Sequence, residues 1–246
     1  MSMDWNLPAG LLAGKYWDWL LSGWYVTIGS SVCVIVLASL LGLPFALARS
    51  NGHWLVRSVA ALYLSVFRNT PLLVQLFFWY FAVPSLLPEH WMQALNQHHS
   101  LTEDSLLRFV PTFEVIAAIT GLVLYSTAYV GEEIRAGLRS IPSGQWQAAR
   151  SLGMTQWQAL RHIVLPQALR NVISPLFGQY MNIVKNTSLG MAIGLMELSY
   201  RTRQVEAETF QSFQAYAIAT LLYIVLIVLL QWLGHRLQAV QPGRPA

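Results

Sequence analysis

The sequence alternates long apolar runs with short polar segments, and the apolar residues within a run do not form the single stripe of an amphipathic helix. Two of these runs, residues 20–48 and 209–234, contain no Asp, Glu, Lys or Arg. About 20 helical residues cross the ~30 Å hydrocarbon core of a bilayer. The pattern therefore predicts an all-α membrane protein with about five transmembrane helices. The predicted spans are residues 20–48, 58–85, 112–132, 163–191 and 211–234, with a break in the fourth.

Composition also favours a membrane protein over a soluble one. The chain is 55% hydrophobic and only 11% charged, whereas an ordinary globular domain is roughly 25% charged. Its single cysteine, Cys33, lies within the first apolar run and excludes an internal disulfide framework. The N-terminal segment lacks a basic stretch and a small-residue cleavage site. The first span is therefore expected to be retained, and not removed as a signal peptide.

The distribution of charge predicts the orientation of the chain. The net charge of +4 could indicate a nucleic-acid partner, but the basic residues collect between alternate spans, so we expect no nucleic-acid partner. Basic residues stay on the cytoplasmic side of a membrane. This rule predicts a multi-pass protein of the bacterial inner membrane with a periplasmic N-terminus and a cytoplasmic C-terminus. The arginines on the predicted cytoplasmic side are Arg49, Arg57, Arg135, Arg139, Arg150, Arg161, Arg170, Arg236 and Arg244.

Two polar segments belong to opposite sides of this topology. A periplasmic loop covers about residues 84–111 and a cytoplasmic segment about residues 133–162, within a single transmembrane domain of residues 1–246. His98 and His99 lie in the periplasmic loop without spaced Cys or acidic ligands, so we expect no metal site there. Substrate paths form between helices or between repeats. Because five spans without a clear repeat are few for a complete path, we expect a second subunit to supply the other half.

The cytoplasmic segment continues into a pattern that predicts two short helices. Ser143 can cap the first helix, Gly153 can end it, and Thr155 can cap the second. The small residues would let another protein approach closely, although an ordinary helical hairpin would give the same pattern. The residues concerned are Gln147, Ala148 and Ala149 on the first helix, Gly153 after it, and Ile163, Leu165 and Pro166 leading into the next span.

The spacing of these residues resembles the cytoplasmic signature of the inner-membrane permeases of ATP-binding-cassette (ABC) importers, although Gln147 stands where that family usually has Glu. Further segments resemble the permeases that import polar amino acids of the histidine, glutamine and glutamate type. Asn69, which replaces a Gly typical of that subfamily, and the long periplasmic loop are most similar to glutamate/aspartate import permeases. The matching segments are FRNTPLLVQLFFWY (67–80), STAYVGEEIRAG (126–137), IPSGQWQAARSLG (141–153) and KNTSL (185–189).

The resemblance implies a type I ABC-importer permease fold and the import of a polar amino acid, with glutamate or aspartate favoured. Besides the lipid bilayer, it implies two copies of a cytoplasmic ATPase subunit, a second permease subunit that is a paralogue, and a periplasmic amino-acid-binding protein. In this family the cytoplasmic segment docks into the ATPase and transmits its closure. Neither Lys15 nor Lys185 lies in the Gly-Lys-Ser/Thr sequence of a phosphate-binding loop. We therefore predict a translocation subunit that is not an enzyme, without catalytic residues, metal or cofactor.

Arg68 is the leading candidate for contact with a substrate. Counted along a helix from Arg57, it lies about 16 Å into the membrane. An arginine at that depth is costly unless it is paired or faces a wet cavity, and its guanidinium can bind a carboxylate in a bidentate pair. Thr70 and Pro71 would interrupt the helix and expose backbone polar groups to the path. We predict that Arg68, Asn69 and Thr70 bind substrate, although Arg68 could instead snorkel or tie down a neighbouring helix.

Asn186, Thr187 and Ser188 form the second candidate for substrate binding. These capping residues precede an apolar stretch and could begin a half-helix whose free N–H groups and positive dipole suit an anion. Lys185 would add charge of the same sign. A plain turn at the outer edge of the membrane would give the same pattern.

Glu132 and Arg135 match the subfamily motif and can pair at positions i and i+3 of a helix. We predict that they act as a gate or scaffold.

An ion- or proton-coupled secondary amino-acid carrier is the alternative function. It would call for an internal repeat and a coupling-ion site, and neither is clear in the sequence.

Overall fold

The computed structural model describes residues 14–51, 53–88, 90 and 112–239, and the regular elements within these ranges are all helical. Most of the predicted periplasmic loop, with His98 and His99, lies outside the described residues. Residues Leu160–Val164 form a π-helical turn, and residues Thr187–Ile193 form a 3₁₀ helix. The helices are α1 (Gly14–Asn51), α2 (Trp54–Asn69), α3 (Leu72–Leu86, with a π-helical turn at Phe78–Ala82), α4 (Phe113–Arg139), α5 (Ser143–Ser151), α6 (Gln156–Ala159), α7 (Leu165–Asn186), α8 (Leu198–Thr209) and α9 (Ser212–Ala239).

Three helices of the described residues are long and apolar enough to cross a membrane: Gly14–Ser50, Phe113–Arg139 and Ser212–Gln238. The pair α2 and α3 adds a fourth candidate if the two are counted as one broken span. The predicted class, an all-α membrane protein, is thus confirmed. The predicted fourth span corresponds to α7, in which polar and charged residues such as Arg170 interrupt the apolar sequence. A count of five spans stays a prediction.

The break between α2 and α3 lies where the sequence predicted it. Thr70 has extended backbone (φ −113°, ψ 141°), and Pro71 occupies the N-cap position of α3. Proline lacks an N–H group, and its ring disfavours helical backbone in the residue before it. The hydroxyl of Thr70 donates a hydrogen bond to the carbonyl of Val66 at 2.8 Å. This bond satisfies one carbonyl group in the last turn of α2.

The described residues pack into two compact units, and the apolar core of each is formed by helices distant in sequence. The first unit takes its described residues from 14–33, 71–122 and 184–226, and the second takes them from 34–70, 123–183 and 227–239. A buried cluster in the first unit comprises Leu20, Leu198, Val205, Ala215 and Ala219. A buried cluster in the second comprises Ala38, Ala46, Val130, Ile134, Leu138, Ile141, Leu160, Val164 and Ala168.

Glycines let three helices of the second unit approach closely. A Cβ atom at Gly131 of α4 would lie 2.5 Å from Cδ1 of Phe45 and 3.2 Å from the carbonyl oxygen of Gly42, both on α1. A Cβ atom at Gly137 would lie 2.7 Å from the carbonyl oxygen of Ala168 on α7. Small residues at such contacts are typical of packed membrane helices. They bring the end of α1 beside the end of α4, where charged side chains meet.

A buried carboxylate joins three helices of the first unit. Glu197 is fully buried, and its Oε1 accepts a hydrogen bond from the N–H of Tyr200 at 2.9 Å, which caps α8. Its Oε2 accepts from the hydroxyl of Tyr223 on α9 at 2.6 Å. Thr27 of α1 lies 3.5 Å from the same oxygen and accepts from the N–H of Leu198 at 3.1 Å. No motif in the sequence pointed to Glu197, because its partners on α1 and α9 are distant along the chain.

Glu197→Ala is expected to destabilise the protein by about 3 kcal/mol, because it removes a helix cap and leaves buried donors without an acceptor. Burial raises the pKa of Glu197, while the hydrogen bond from Tyr223 opposes part of this rise. A raised folded-state pKa makes the contribution of the carboxyl to stability complete below its unfolded pKa, about 4.3, and this contribution is lost as pH rises through the folded pKa.

Thermal unfolding of the detergent-purified protein, measured at pH values from below about 4.3 upward, checks both expectations. In the Glu197→Gln variant the decline with rising pH should be smaller than in the wild type. Glu208→Gln serves as the control, because Glu208 pairs with Lys15 at the exposed surface and should matter little. An unchanged unfolding temperature of Glu197→Ala would contradict the structural role of the buried carboxylate.

Candidate functional site

The segment predicted to be cytoplasmic and to contact a partner forms two short helices, as expected. Helix α5 ends at Ser151, and Gly153 has left-handed backbone with φ +75°. Thr155 caps α6, since its hydroxyl accepts from the N–H of Gln158 at 3.2 Å while the Gln158 side chain accepts from the N–H of Thr155 at 2.8 Å. The predicted capping role of Ser143 is wrong. Pro142 holds the N-cap position of α5, and no side chain caps that end.

Gly153 suits the way in which α5 ends. Its N–H donates to the carbonyl of Arg150 at 2.9 Å, and the N–H of Met154 reaches back to the carbonyl of Ala149 at 3.1 Å. Such a closing turn needs a residue with positive φ, which costs glycine no steric strain. The turn satisfies the last carbonyls of α5 and directs the chain back into α6.

The outer surface of this segment differs in part from the prediction. Gln147 and Ala148 are exposed, as expected. Ala149 is fully buried, so its expected place on the outer face is wrong; it faces inward on the helix while its two neighbours face outward. Two apolar residues outside the predicted surface are largely exposed, Leu152 at 80% and Trp157 at 61%. Large apolar side chains exposed next to a closed turn indicate a surface that another protein covers.

The residues leading into α7 link this segment to the core. Ile163 lies half-buried within the π-helical turn, and Leu165 packs against the buried cluster of the second unit. Pro166 is exposed and is the second residue of α7. The amide of Gln167 donates to the carbonyl of Ile163 at 2.8 Å and so helps to satisfy the backbone around the proline. The segment is therefore continuous with a helix that is fixed in the core.

Glu132 pairs with two arginines near the ends of α1 and α4. The predicted pair with Arg135 is confirmed, since Arg135 donates from Nε at 2.8 Å and from Nη2 at 2.7 Å to the two carboxylate oxygens. Arg49 also donates, from Nη1 to Oε1 at 2.7 Å. All three side chains are only 15–17% exposed. Arg49 and Glu132 are 83 residues apart in the chain, so their pairing could not be predicted from spacing. The cluster fixes two helix ends together and therefore suits a scaffold.

Glu132→Ala is expected to destabilise the protein by about 3 kcal/mol, because it leaves two poorly exposed guanidinium groups without their carboxylate. Thermal unfolding in detergent measures this loss. Glu133→Ala is the matched control, because Glu133 accepts one hydrogen bond, from Gln179 at 3.1 Å, and should cost about 1 kcal/mol. Equal losses in the two variants would show that the ion cluster contributes no special stability.

Arg68 lies exposed in the last turn of α2, and Cζ of its guanidinium is 5.2 Å from the centre of the Tyr129 ring on α4. This is a cation–π distance. No carboxylate among the described residues pairs with Arg68. The Asn69 amide donates to Ser65 Oγ at 3.1 Å. The guanidinium thus rests on an aromatic face while its exposed edge can still receive an anion. Substrate binding by Arg68, Asn69 and Thr70 stays a prediction.

The expected half-helix beginning at Asn186, Thr187 and Ser188 is wrong. Helix α7 runs to Asn186 and continues as a 3₁₀ helix, and the backbone turns left-handed only at Gly194, with φ +90°. The hydroxyl of Thr187 donates to the carbonyl of Val184 at 2.8 Å, and that of Ser188 to the carbonyl of Lys185 at 2.7 Å. These side chains bond backward to the preceding turn and do not cap a new one. A substrate role for the three residues stays a prediction, but a half-helix beginning at them no longer supports it.

Long apolar helices, joined in part by a pair of short helices, define the class as a multi-pass helical membrane protein. The family model of the binding-protein-dependent transport system inner membrane component matches residues 6–239, and the chain belongs to this family. The predicted resemblance to ABC-importer permeases and the predicted inner-membrane location are thereby confirmed.

Individual relatives match along most of the chain. The glutamate/aspartate import permease protein GltJ of Escherichia coli K12 is 33% identical over 247 aligned positions, which cover 96% of each chain. A glutamine transport system permease protein, GlnP, of Rickettsia typhi is 30% identical and covers 87% of this chain and 89% of its own. The crystal structure of an amino acid ABC transporter has a chain with a TM-score of 0.76 and 28% identity, covering 98% of this chain and 100% of that one. The type I permease fold expected from the sequence is thereby supported over 98% of this chain.

Proposed function

We propose that the chain is the transmembrane permease subunit of an ABC importer that carries a polar amino acid, glutamate or aspartate, across the inner membrane. The observation that carries the proposal is the similarity to GltJ over nearly the full length of both chains. The glutamine permease relative supports a polar amino acid more broadly. Arg68 supports an acidic substrate, since an arginine within a predicted span offers a bidentate site for a carboxylate.

The proposed importer divides its work among several subunits. Two copies of a cytoplasmic ATPase hydrolyse ATP, a periplasmic amino-acid-binding protein delivers substrate, and a paralogous permease completes the path through the bilayer. This chain performs no catalysis and acts mechanically within a single transmembrane domain of residues 1–246. ATPase closure moves the segment at α5 and α6, and alternating access follows from the resulting shift of the spans.

The exposed surface of the segment supports this coupling role. Gln147 and Ala148 face outward, and Leu152 and Trp157 extend the face with apolar area. Gln147 offers the partner an amide and not the usual carboxylate, so this contact relies on hydrogen bonds and not on charge. The buried Ala149 and half-buried Leu165 would pass movement of the face to the core of the second unit.

Uptake of labelled glutamate tests the proposal. Cells lacking the gene are compared with cells in which it is restored, and unlabelled amino acids compete. Gene-dependent uptake competed best by glutamate and aspartate is the expected result. Competition by glutamine or a basic amino acid alone would contradict glutamate and aspartate as the substrates, while the proposal of an importer would still stand.

A second arm of the experiment distinguishes the secondary carrier. Removal of the ATPase subunit should abolish uptake, whereas an ionophore that collapses the ion gradients without lowering ATP should leave it intact. The opposite pair of results would indicate a secondary carrier and overturn the proposed importer.

A further inference from the structure

An open cavity of about 480 Å³ lies within the second unit, beside helices α5 and α6, which together are called the coupling segment below. Ser50 lines it from the end of α1, and Arg139 from the end of α4. Helix α5 contributes Ser143, Gln147 and Arg150. The substrate role proposed for Arg68 makes no use of this cavity, which lies at a different set of helix ends.

The lining of the cavity is positively charged. Arg139 and Arg150 are exposed, and within the described residues neither guanidinium makes an ion pair or a side-chain hydrogen bond. None of the lining residues is acidic. Arg49 and Arg135, by contrast, both pair with Glu132. Two uncompensated guanidinium groups around one cavity favour an anion with several acceptor oxygens.

The polar groups around the two arginines fit a phosphate group. Ser50 and Ser143 offer hydroxyl donors, and Gln147 offers an amide. Ser143 also begins α5, whose first turn has no side-chain cap. The N–H of Gln145 donates to the carbonyl of Pro142 at 3.0 Å, so the N–H groups of Ser143 and Gly144 are those left for a ligand. A phosphate accepts hydrogen bonds from donors arranged on several sides, and a guanidinium fork matches its geometry.

The cavity lies where two candidate spans end, since Ser50 is the last residue of one and Arg139 the last residue of another. Trp146 also lines it, and tryptophan favours the interface between membrane and water. The buried Leu138 and Leu160 add apolar surface. Basic cavities at the cytoplasmic membrane surface suit the headgroups of anionic lipids.

We propose that this cavity is a phosphate-binding site that receives the headgroup of an anionic phospholipid. The bound phosphate bridges Arg139 of a span and Arg150 of α5, and so fixes the angle at which the coupling segment leaves the membrane. Gln147 lines the same cavity, so the lipid would influence the face proposed to meet the ATPase. Binding itself requires no transport, so its failure and the failure of the proposed function are separate results.

Lipid binding to the full-length protein, purified from membranes in detergent, tests the proposal. Native mass spectrometry and thermal-shift titration measure the affinity for dioctanoyl phosphatidylglycerol, with dioctanoyl phosphatidylcholine and inorganic phosphate as the comparison ligands. Arg139→Gln combined with Arg150→Gln is expected to weaken phosphatidylglycerol binding by at least about tenfold, because charge-assisted hydrogen bonds are lost. Each single substitution should weaken it by about threefold and replaces the double variant if that variant does not fold.

Arg161→Gln combined with Arg170→Gln is the matched control. Both residues are exposed and belong to the same predicted side, neither lines the cavity, and the change in net charge is the same. This control should change the affinity by less than about twofold. Inorganic phosphate that binds and displaces the lipid with the same dependence on Arg139 and Arg150 would support the phosphate site with a soluble source.

Equal weakening in the two double variants would overturn the proposal, because it would reduce the effect to overall charge. Equal affinity for phosphatidylcholine and phosphatidylglycerol would also overturn it. Loss of the ATPase subunit from the Arg139→Gln and Arg150→Gln protein, with unchanged binding of phosphatidylglycerol, would overturn it and assign these arginines to a protein interface.

Discussion

Gly153→Asp is expected to lower ATP-driven uptake by at least about a hundredfold, because an unpaired carboxylate buried at a protein interface costs ~3 kcal/mol or more. The proposed interface with the ATPase includes the turn at Gly153, between the exposed Leu152 and the second short helix. The added charge would have no partner there, so docking would fail while the permease itself stays intact.

The structure separates this docking effect from a folding effect. A Cβ atom at Gly153 would meet no heavy atom within 4 Å, so a small side chain causes no clash inside the chain. The positive φ is a strain for most residues, but Asp and Asn tolerate it better than others because their side chains bond locally to the backbone. The loss of uptake should therefore exceed any loss of the protein from the membrane.

Gly153→Asn is the control, since it has nearly the same shape as Asp and no charge. Three measurements distinguish the variants: the initial rate of uptake, the amount of permease in membranes, and the amount of ATPase subunit that purifies with it. We expect Gly153→Asn to keep most of its uptake and its ATPase. Equal loss in both variants, or normal uptake in Gly153→Asp, would contradict docking at this turn.

Features formed between near neighbours in the chain could be predicted from the sequence. Pro71 breaks a helix through its own ring, Gly153 ends one through its own backbone, and Thr155 caps one through a residue three positions away. Glu132 and Arg135 meet because one helical turn separates them. In each case the interaction depends on residue type and spacing, and both are visible in the sequence.

Features that depend on packing between distant helices could not be predicted. Arg49 reaches Glu132, and Thr27 reaches Glu197, only because separate helices pack side by side. Residue type alone was also misleading where one side chain can make two kinds of bond. Thr187 could have capped a new helix, but its hydroxyl bonds back to the preceding one. Ala149 was expected on the outer face with its neighbours, but the packing of α5 turned it inward.

Arg68→Gln is expected to raise the KM of glutamate uptake by about a hundredfold, because removal of one partner from a charge pair that the bound substrate desolvates costs ~3 kcal/mol. The guanidinium is exposed at the end of α2, beside the break at Thr70 and Pro71. If it binds the carboxylate of the substrate, Arg68→Lys should give an intermediate KM, since an ammonium group lacks the bidentate fork. Initial rates of uptake over a range of glutamate concentrations measure this effect.

Tyr129→Leu distinguishes substrate binding from a tie between helices. The ring of Tyr129 is the contact seen for the Arg68 guanidinium, at 5.2 Å, and a cation–π contact of this kind is worth about 1 kcal/mol. If Arg68 serves only to hold α2 against α4, the two variants should lose thermal stability alike and leave the KM unchanged. A large rise in KM in Arg68→Gln, with a much smaller one in Tyr129→Leu, would show that the exposed edge of the guanidinium meets the substrate while the aromatic ring only orients it.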